Sequence, residues 1–253
     1  METATLYVIP GSHACRSAML MLDCKGIAYR RRELPSGPHP LLVRLLGFPG
    51  HRTPIRRLDG DTPRLLRTLD LGGTVPALRI QGQRIQTNHD IARFLDTVCS
   101  EPPLLPEDPA RRAAVEEAER WGDEVLQMAA RRIVLAGGAQ GLDKLYRRGN
   151  GGRLGALLAK SEVARNFASR GASTIFRANS SNEGTLLDGL PAMLDRIDGW
   201  IEEGVLDGPA LSAADFMIVP SLALLSYRLD LRPQIAARPA GALLERVLPE
   251  PMI

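Results

Sequence analysis

Aromatic residues are scarce: Phe, Trp and Tyr make up 4% of the 253 residues. That scarcity argues against nucleic-acid binding, which uses aromatic platforms for unstacked bases together with clustered basic residues. The net charge of +3 does not reverse the reading, because Arg far outnumbers Lys and accompanies frequent Ala and Leu, a bias of coding sequence rather than of a phosphate-binding face. Cysteine is nearly absent. Cys15, Cys24 and Cys99 are an odd, sparse set with no CxxC or Cys/His cluster, so neither a disulfide framework nor a zinc site is expected. Histidine is limited to His13, His39, His51 and His89, and no GxSxG elbow occurs, which removes the usual signature of a serine hydrolase. No apolar run approaches the roughly eighteen residues of a membrane helix. The opening "METATLYVIPG" has no basic segment followed by a long apolar one, so no signal peptide is read from it. A cytoplasmic protein without metal, membrane or nucleic-acid partner is the expectation.

What is present is organised. "ATLYVI" (4–9) is β-branched and apolar, a strand broken by Pro10-Gly11. Cys15, Ala18, Met19 and Leu22 then fall at i, i+3, i+4 and i+7, one face of a helix. "AYRRREL" (28–34) predicts a polar outer strand, so strand, helix and strand form a parallel crossover. "TVPALRIQGQRIQ" (74–86) predicts two short strands turning at Gly82, and Ile91, Phe94, Leu95 and Val98 mark another helix face behind a Thr87-Asn88 N-cap. Between these halves, 47–73 is rich in Gly, Pro, Arg and Asp, a long excursion that reads either as a neutral surface insertion or as a lid or contact surface. "CSEPPLLPEDP" (99–109) is a linker by composition. Beyond it nothing reads as sheet: 110–134 and 186–203 predict helices, 137–184 predicts broken helices, and "LSAADFMIVPSLALL" (211–225) predicts a central apolar helix opened by the Ser212-x-x-Asp215 capping box.

The chemistry concentrates in "YVIPGSHACRSAML" (7–20), with Ser12, His13 and Cys15 inside four residues. At a strand-to-helix turn the first backbone N–H groups are unpaired and the dipole is positive, so an anion, a thiolate included, is stabilised there. Ser12 sits at the turn and off the apolar face; it reads either as the donor to such an anion or as a plain N-cap. Cys15 lies on the apolar face, where a thiol is a small hydrophobe. His13 is expected to point to solvent or a cleft.

"SHACRSA" resembles the Ser-x-Pro-Cys/Ser-Arg-Ala stretch of serine-type glutathione S-transferases, with Ala14 where the proline is common. "TVPAL" (74–78) resembles the Val-Pro segment of that superfamily, "IQTNHDIARFLD" (85–96) its next motif, and "LSAADFMIVP" its C-terminal capping box. The four occur in the family's order, and "AVEEAERWG" and "LDRIDGWIEEGVL" resemble a branch from high-GC bacteria. The resemblance implies an α/β thioredoxin-like thiol-binding domain (1–98), the linker (99–109), an all-α C-terminal domain (110–253) and a homodimer. It implies Ser12 as the catalytic hydroxyl, Val75 and cis Pro76 pairing with the cysteinyl part of a tripeptide, and Gln86 with Thr87 or Asn88 holding its γ-glutamyl carboxylate. His13 and Arg16 would be accessory, and Trp121, Val125 and Met128 would line the pocket of a small hydrophobic electrophile. The cosubstrate would be glutathione or another low-molecular-weight thiol such as mycothiol, with no metal. An isomerase or cyclase that uses the same cleft without net thiol transfer, and a non-enzymatic binding or scaffold protein, remain alternatives.

Overall fold

The computed structural model describes residues 3–50, 73–137, 142–148 and 152–249. The excursion read at 47–73 therefore lies mostly outside the described residues.

β1 (Ala4–Val8) is apolar on both sides and wholly buried, which makes it a central strand. α1 (His13–Cys24) follows, and β2 (Tyr29–Glu33) returns parallel to β1 with Leu6 opposite Arg31. β2 is an edge strand whose Arg30, Arg31 and Arg32 face solvent, as its polar sequence requires. α2 (His39–Leu45) is a short helix that the sequence pattern does not announce; its Leu41 and Leu45 are exposed. β3 (Ala77–Ile80) runs antiparallel to β1, with Leu78 opposite Leu6, and β4 (Gln83–Gln86) closes the order β2-β1-β3-β4. Gln81 (φ 50°) and Gly82 (φ 75°) form the two-residue turn between β3 and β4, a geometry that needs positive φ at both positions. α3 (Asn88–Val98) then packs beside α1.

From Pro109 the described chain is helical. α4 (Pro109–Trp121) starts behind Asp108, whose side chain accepts from the Arg111 N–H. It continues through a π turn, Gly122–Leu126, in which the Gln127 N–H donates to the Gly122 carbonyl five residues back, into α5 (Gln127–Ala136). α6 (Leu142–Arg148), α7 (Arg153–Lys160) and α8 (Glu162–Phe176) are the broken helices of the Gly- and Ser-punctuated region. α9 (Ser180–Glu202) and α10 (Ala213–Ser226) follow, then α11 (Arg232–Ala236) and α12 (Pro239–Val247).

Every residue of α10 is buried, as a helix apolar all round must be. Its start is fixed by Asp215, whose carboxylate accepts from the backbone N–H and the hydroxyl of Ser212, each at 2.8 Å, and from the Asp207 N–H at 2.8 Å. α10 also carries the join between the two halves, because α1 lies along it. α4 and α5 cross α10 closely at Gly122, where a Cβ would come within 2.9 Å of Met217 Cγ. Lys25, buried after α1, binds Asp96 at 2.7 Å and the Cys99 carbonyl at 2.6 Å, fixing the end of α3 to the linker. The result is a thioredoxin-like sheet and its helices, followed by a helical bundle built around α10.

Candidate functional site

Two helix N-termini converge beside the loop before β3. At the first, Ser12 is the N-cap of α1 (φ −82°, ψ 107°), and its Oγ accepts from the Cys15 N–H at 3.2 Å. Capping uses an acceptor lone pair of the hydroxyl and leaves its O–H able to donate. At the second, Thr87 (φ 67°) is the N-cap of α3, its Oγ1 accepting from the Asp90 N–H at 2.9 Å. Asn88, buried at 5%, donates through Nδ2 to the Ala14 carbonyl at 3.0 Å, while its Oδ1 has no hydrogen-bond partner. The Val75–Pro76 peptide between them is cis, the form the resemblance implies.

Ser12, Val75, Pro76, Thr87 and Asn88 all border one cavity of about 640 Å³, a volume ordinary for a small-molecule site. Its opposite wall comes from the helical bundle. α5 and the π turn supply Asp123, Gln127 and Arg131, and α8 supplies Phe167, Ala172, Ile175 and Phe176. The three polar groups form a ladder along one helix face: Gln127 Nε2 donates to Asp123 Oδ1 at 3.3 Å, and Arg131 Nη2 donates to Gln127 Oε1 at 3.1 Å. The Arg131 guanidinium lies 4.4 Å from the centroid of the Phe176 ring. Neighbouring Arg132, buried at 3%, donates to the Phe176 carbonyl at 2.8 Å, so two consecutive arginines pin the end of α8. The start of α7 is held from the sheet side: Glu33 accepts from the Leu154 N–H at 2.7 Å and the Gly155 N–H at 3.4 Å.

His13 is buried at 6% rather than turned to solvent, because Gln127 and Arg131 of α5, more than a hundred residues away in the chain, cover it. It still borders the cavity, and its Nε2 has no partner. Burial first, then the Arg131 charge, holds its pKa well below 6.5, against a weaker pull from the Gln127 backbone, so the imidazole is neutral at pH 7. His39, across the cavity, is also lowered by burial. Cys15 is fully buried, and desolvation pushes its thiol up to about 11, against the lowering effect of Ser12. Among the described residues no group of three or more His, Cys, Asp or Glu is placed to hold a metal.

Five of the expected site residues lie elsewhere. Gln86 does not border the cavity: its Oε1 accepts from the Gly50 N–H at 2.8 Å and its Nε2 donates to the Thr74 carbonyl at 3.1 Å, so the amide ties together the flanks of the 51–72 segment. Gly73 (φ 105°) allows this approach, since a Cβ there would meet Gln86 Nε2 at 2.8 Å. Arg16 reaches the other way, donating to the Tyr227 hydroxyl at 3.0 Å. Trp121, Val125 and Met128 turn into the bundle instead of the pocket; Trp121 meets Trp200 edge to face at 5.3 Å, and Met128 is fully buried. Trp121 packs on Trp200 before the π turn, and beyond it the polar residues of this segment that border the cavity are Asp123, Gln127 and Arg131. Asp123, Gln127 and Arg131 recur every fourth position, but Glu124 and Arg132 interrupt the pattern, so the sequence carries no clean signal of this face.

No protein-family model and no curated protein sequence matches the chain. Solved structures do. A glutathione S-transferase of Ceriporiopsis subvermispora in complex with glutathione superposes with a TM-score of 0.65 at 14% identity, over 98% of this chain and 97% of that one. A GST-like protein from Pseudomonas syringae gives 0.60 at 20% identity, over 98% and 67%. A glutathione S-transferase from Methylobacterium radiotolerans, complexed with glutathione sulfonate, gives 0.53 at 16% identity, over 98% and 91%. The chain therefore has the glutathione S-transferase fold, a thioredoxin-like α/β half followed by an all-α half.

Proposed function

We propose that the chain is a glutathione S-transferase-type enzyme that binds a low-molecular-weight thiol, glutathione or an analogue such as mycothiol, and presents it as a thiolate to a hydrophobic electrophile. The observation that carries the reading is the place of Ser12: an N-cap hydroxyl on the border of the cavity that Val75 and cis Pro76 also line, with its O–H able to donate. A thiol of pKa about 8.5 needs roughly 2.7 kcal/mol to fall by two units. One hydrogen bond to a charged acceptor contributes about 1.5–3 kcal/mol, and a helix N-terminus about 0.3–1 kcal/mol. Ser12 on α1 meets that requirement without a metal or a general base. The thiolate sulfur then forms the new C–S bond, and the displaced group leaves with its electron pair. Val75 and Pro76 would hold the thiol's backbone, and Thr87 or Asn88, at the start of α3, the γ-glutamyl carboxylate of a glutathione-type thiol. A homodimer in the cytoplasm belongs to the same proposal.

A second reading is favoured by His13. A buried neutral imidazole bordering an apolar cavity suits proton movement in an isomerase or cyclase, which thiol transfer does not require. Substrate consumption with and without added thiol separates the two. Calorimetric titration with glutathione and with mycothiol tests the first directly: saturable binding that weakens in Ser12→Ala supports it, and absence of binding by either thiol rejects it.

A further inference from the structure

Lys and Arg are not spread evenly along the chain. Residues 142–177 carry eight of them against two Asp and Glu, a net +6 in a chain whose total is +3, so the remainder is net negative. This is the segment that contains α6, α7 and α8, beside the cavity. Three large apolar side chains on it face water. Leu157 of α7 is 63% exposed, and Val163 and Phe167 of α8 are 82% and 83% exposed. Val163, Phe167 and Arg170 fall at i, i+4 and i+7, so they share one stripe of α8. Arg153, Lys160 and Arg170 are exposed as well, and among the described residues none of the three forms an ion pair. Leu157 and Phe167 also border the cavity, so the exposed apolar face runs into its rim.

Scattered exposed apolar residues are ordinary. Apolar side chains grouped among cations on a helical face are what an anionic bilayer takes, the apolar groups entering the headgroup boundary and the cations meeting phosphates. Two other partners fit less well. Single-stranded nucleic acid is held by stacking aromatics, and Phe167 is the one aromatic among the exposed large apolar residues described. A second copy joined through this face by a two-fold axis would set the +6 segment against itself, like charge facing like.

We infer that the α7–α8 face docks on an anionic lipid surface, with Leu157, Val163 and Phe167 in the headgroup boundary and Arg153, Lys160 and Arg170 on lipid phosphates. The contact is peripheral: among the described residues no helix is long and apolar enough to cross a membrane. The lack of a long apolar run argued against a span and says nothing of a surface contact. Docked in this way, the rim of the cavity meets the bilayer, and an apolar ligand dissolved in lipid enters without crossing water. The inference goes beyond the proposed function and does not rest on thiol binding.

Binding of the full chain is measured by cosedimentation with vesicles of phosphatidylcholine alone and of phosphatidylcholine mixed with an equal amount of phosphatidylglycerol. The mixed vesicles should bind at least about tenfold more tightly, and about 1 M NaCl should remove most of that difference. Val163→Asp should weaken mixed-vesicle binding about fivefold or more. Lys160→Gln combined with Arg170→Gln should bring it most of the way to the phosphatidylcholine value. Arg30→Gln combined with Arg32→Gln, on the exposed β2 edge, removes the same charge elsewhere and should change it by less than about twofold. Equal binding to both vesicles, binding to neither, or an equal loss in the β2 variant would overturn the proposal. Absent vesicle binding together with a Val163→Asp chain of half the wild-type mass by light scattering would overturn it too, and would make the face a contact between two copies. The wild-type comparison decides even where a variant does not fold. Vesicle binding and thiol binding are read separately, so either reading can fail without the other.

Discussion

Asn88 and Ala14 lie seventy-four positions apart in the chain and are joined by one buried hydrogen bond, from Asn88 Nδ2 to the Ala14 carbonyl at 3.0 Å. It ties the start of α3 to the first turn of α1, so the two helix N-termini that border the cavity are held as one unit. Asn88→Ala should destabilise the fold by about 0.5–1.5 kcal/mol, the net contribution of one intramolecular hydrogen bond, since the Ala14 carbonyl keeps its place in α1. It should also weaken ligand binding, since the spacing of the termini is no longer fixed. Chemical denaturation with calorimetry checks both; a loss below about 0.5 kcal/mol would show that the bond does not hold the termini together.

Cys15 is expected to be inert. Its thiol is fully buried and pushed up to about 11 by desolvation, so almost none is thiolate at neutral pH. Native-state labelling with a maleimide should modify the partly exposed Cys24 and Cys99 well before Cys15. Cys15→Ala should cost about 1 kcal/mol of stability and little activity. Rapid labelling of Cys15 with loss of activity would instead make the protein a cysteine-dependent redox enzyme.

His13 gives the fold a pH dependence whose sign is fixed. Its pKa is held well below its ordinary value of 6.5, so below about that pH the unfolded chain binds a proton the folded chain refuses. The stability tied to neutral His13 is present above pH 6.5 and is lost as pH falls beneath it, by at most about 1.4 kcal/mol per pH unit. His39 acts in the same direction, so the comparison must be with a variant. Between pH 7 and pH 5 the melting temperature of the wild type should fall more than that of His13→Asn. Parallel curves would show that His13 is not buried neutral.

The elements that position the site were legible where local signals agree with tertiary demands. Ser12, Thr87 and Ser212 are caps in sequence and in structure, and the periodicity behind each is that of a buried helix face. Two kinds of feature were not legible. α2 carries leucines on its exposed side, so its pattern has no single apolar face. The cavity wall of the bundle depends on a one-residue change of helical register after Trp121, and nothing local marks it except Gly122, needed for the approach to Met217 and Ile218. Trp121, Val125 and Met128 share a face in the sequence, but that face packs into the bundle, and the cavity takes Asp123, Gln127 and Arg131. The burial of His13 escaped for a related reason: its cover arrives from α5, and a single stretch of sequence carries no record of what folds over it.

The central claim is that Ser12 stabilises a thiolate, and the ionisation of the bound thiol reports on it directly. Thiolate absorbance near 240 nm, followed against pH in the complex with whichever of glutathione or mycothiol binds, should titrate about two units below the free thiol's value of roughly 8.5. In Ser12→Ala, with the fold intact and the thiol still saturating, the midpoint should return most of the way to that value. A wild-type midpoint equal to that of the free thiol, or one that Ser12→Ala leaves in place, would contradict the account.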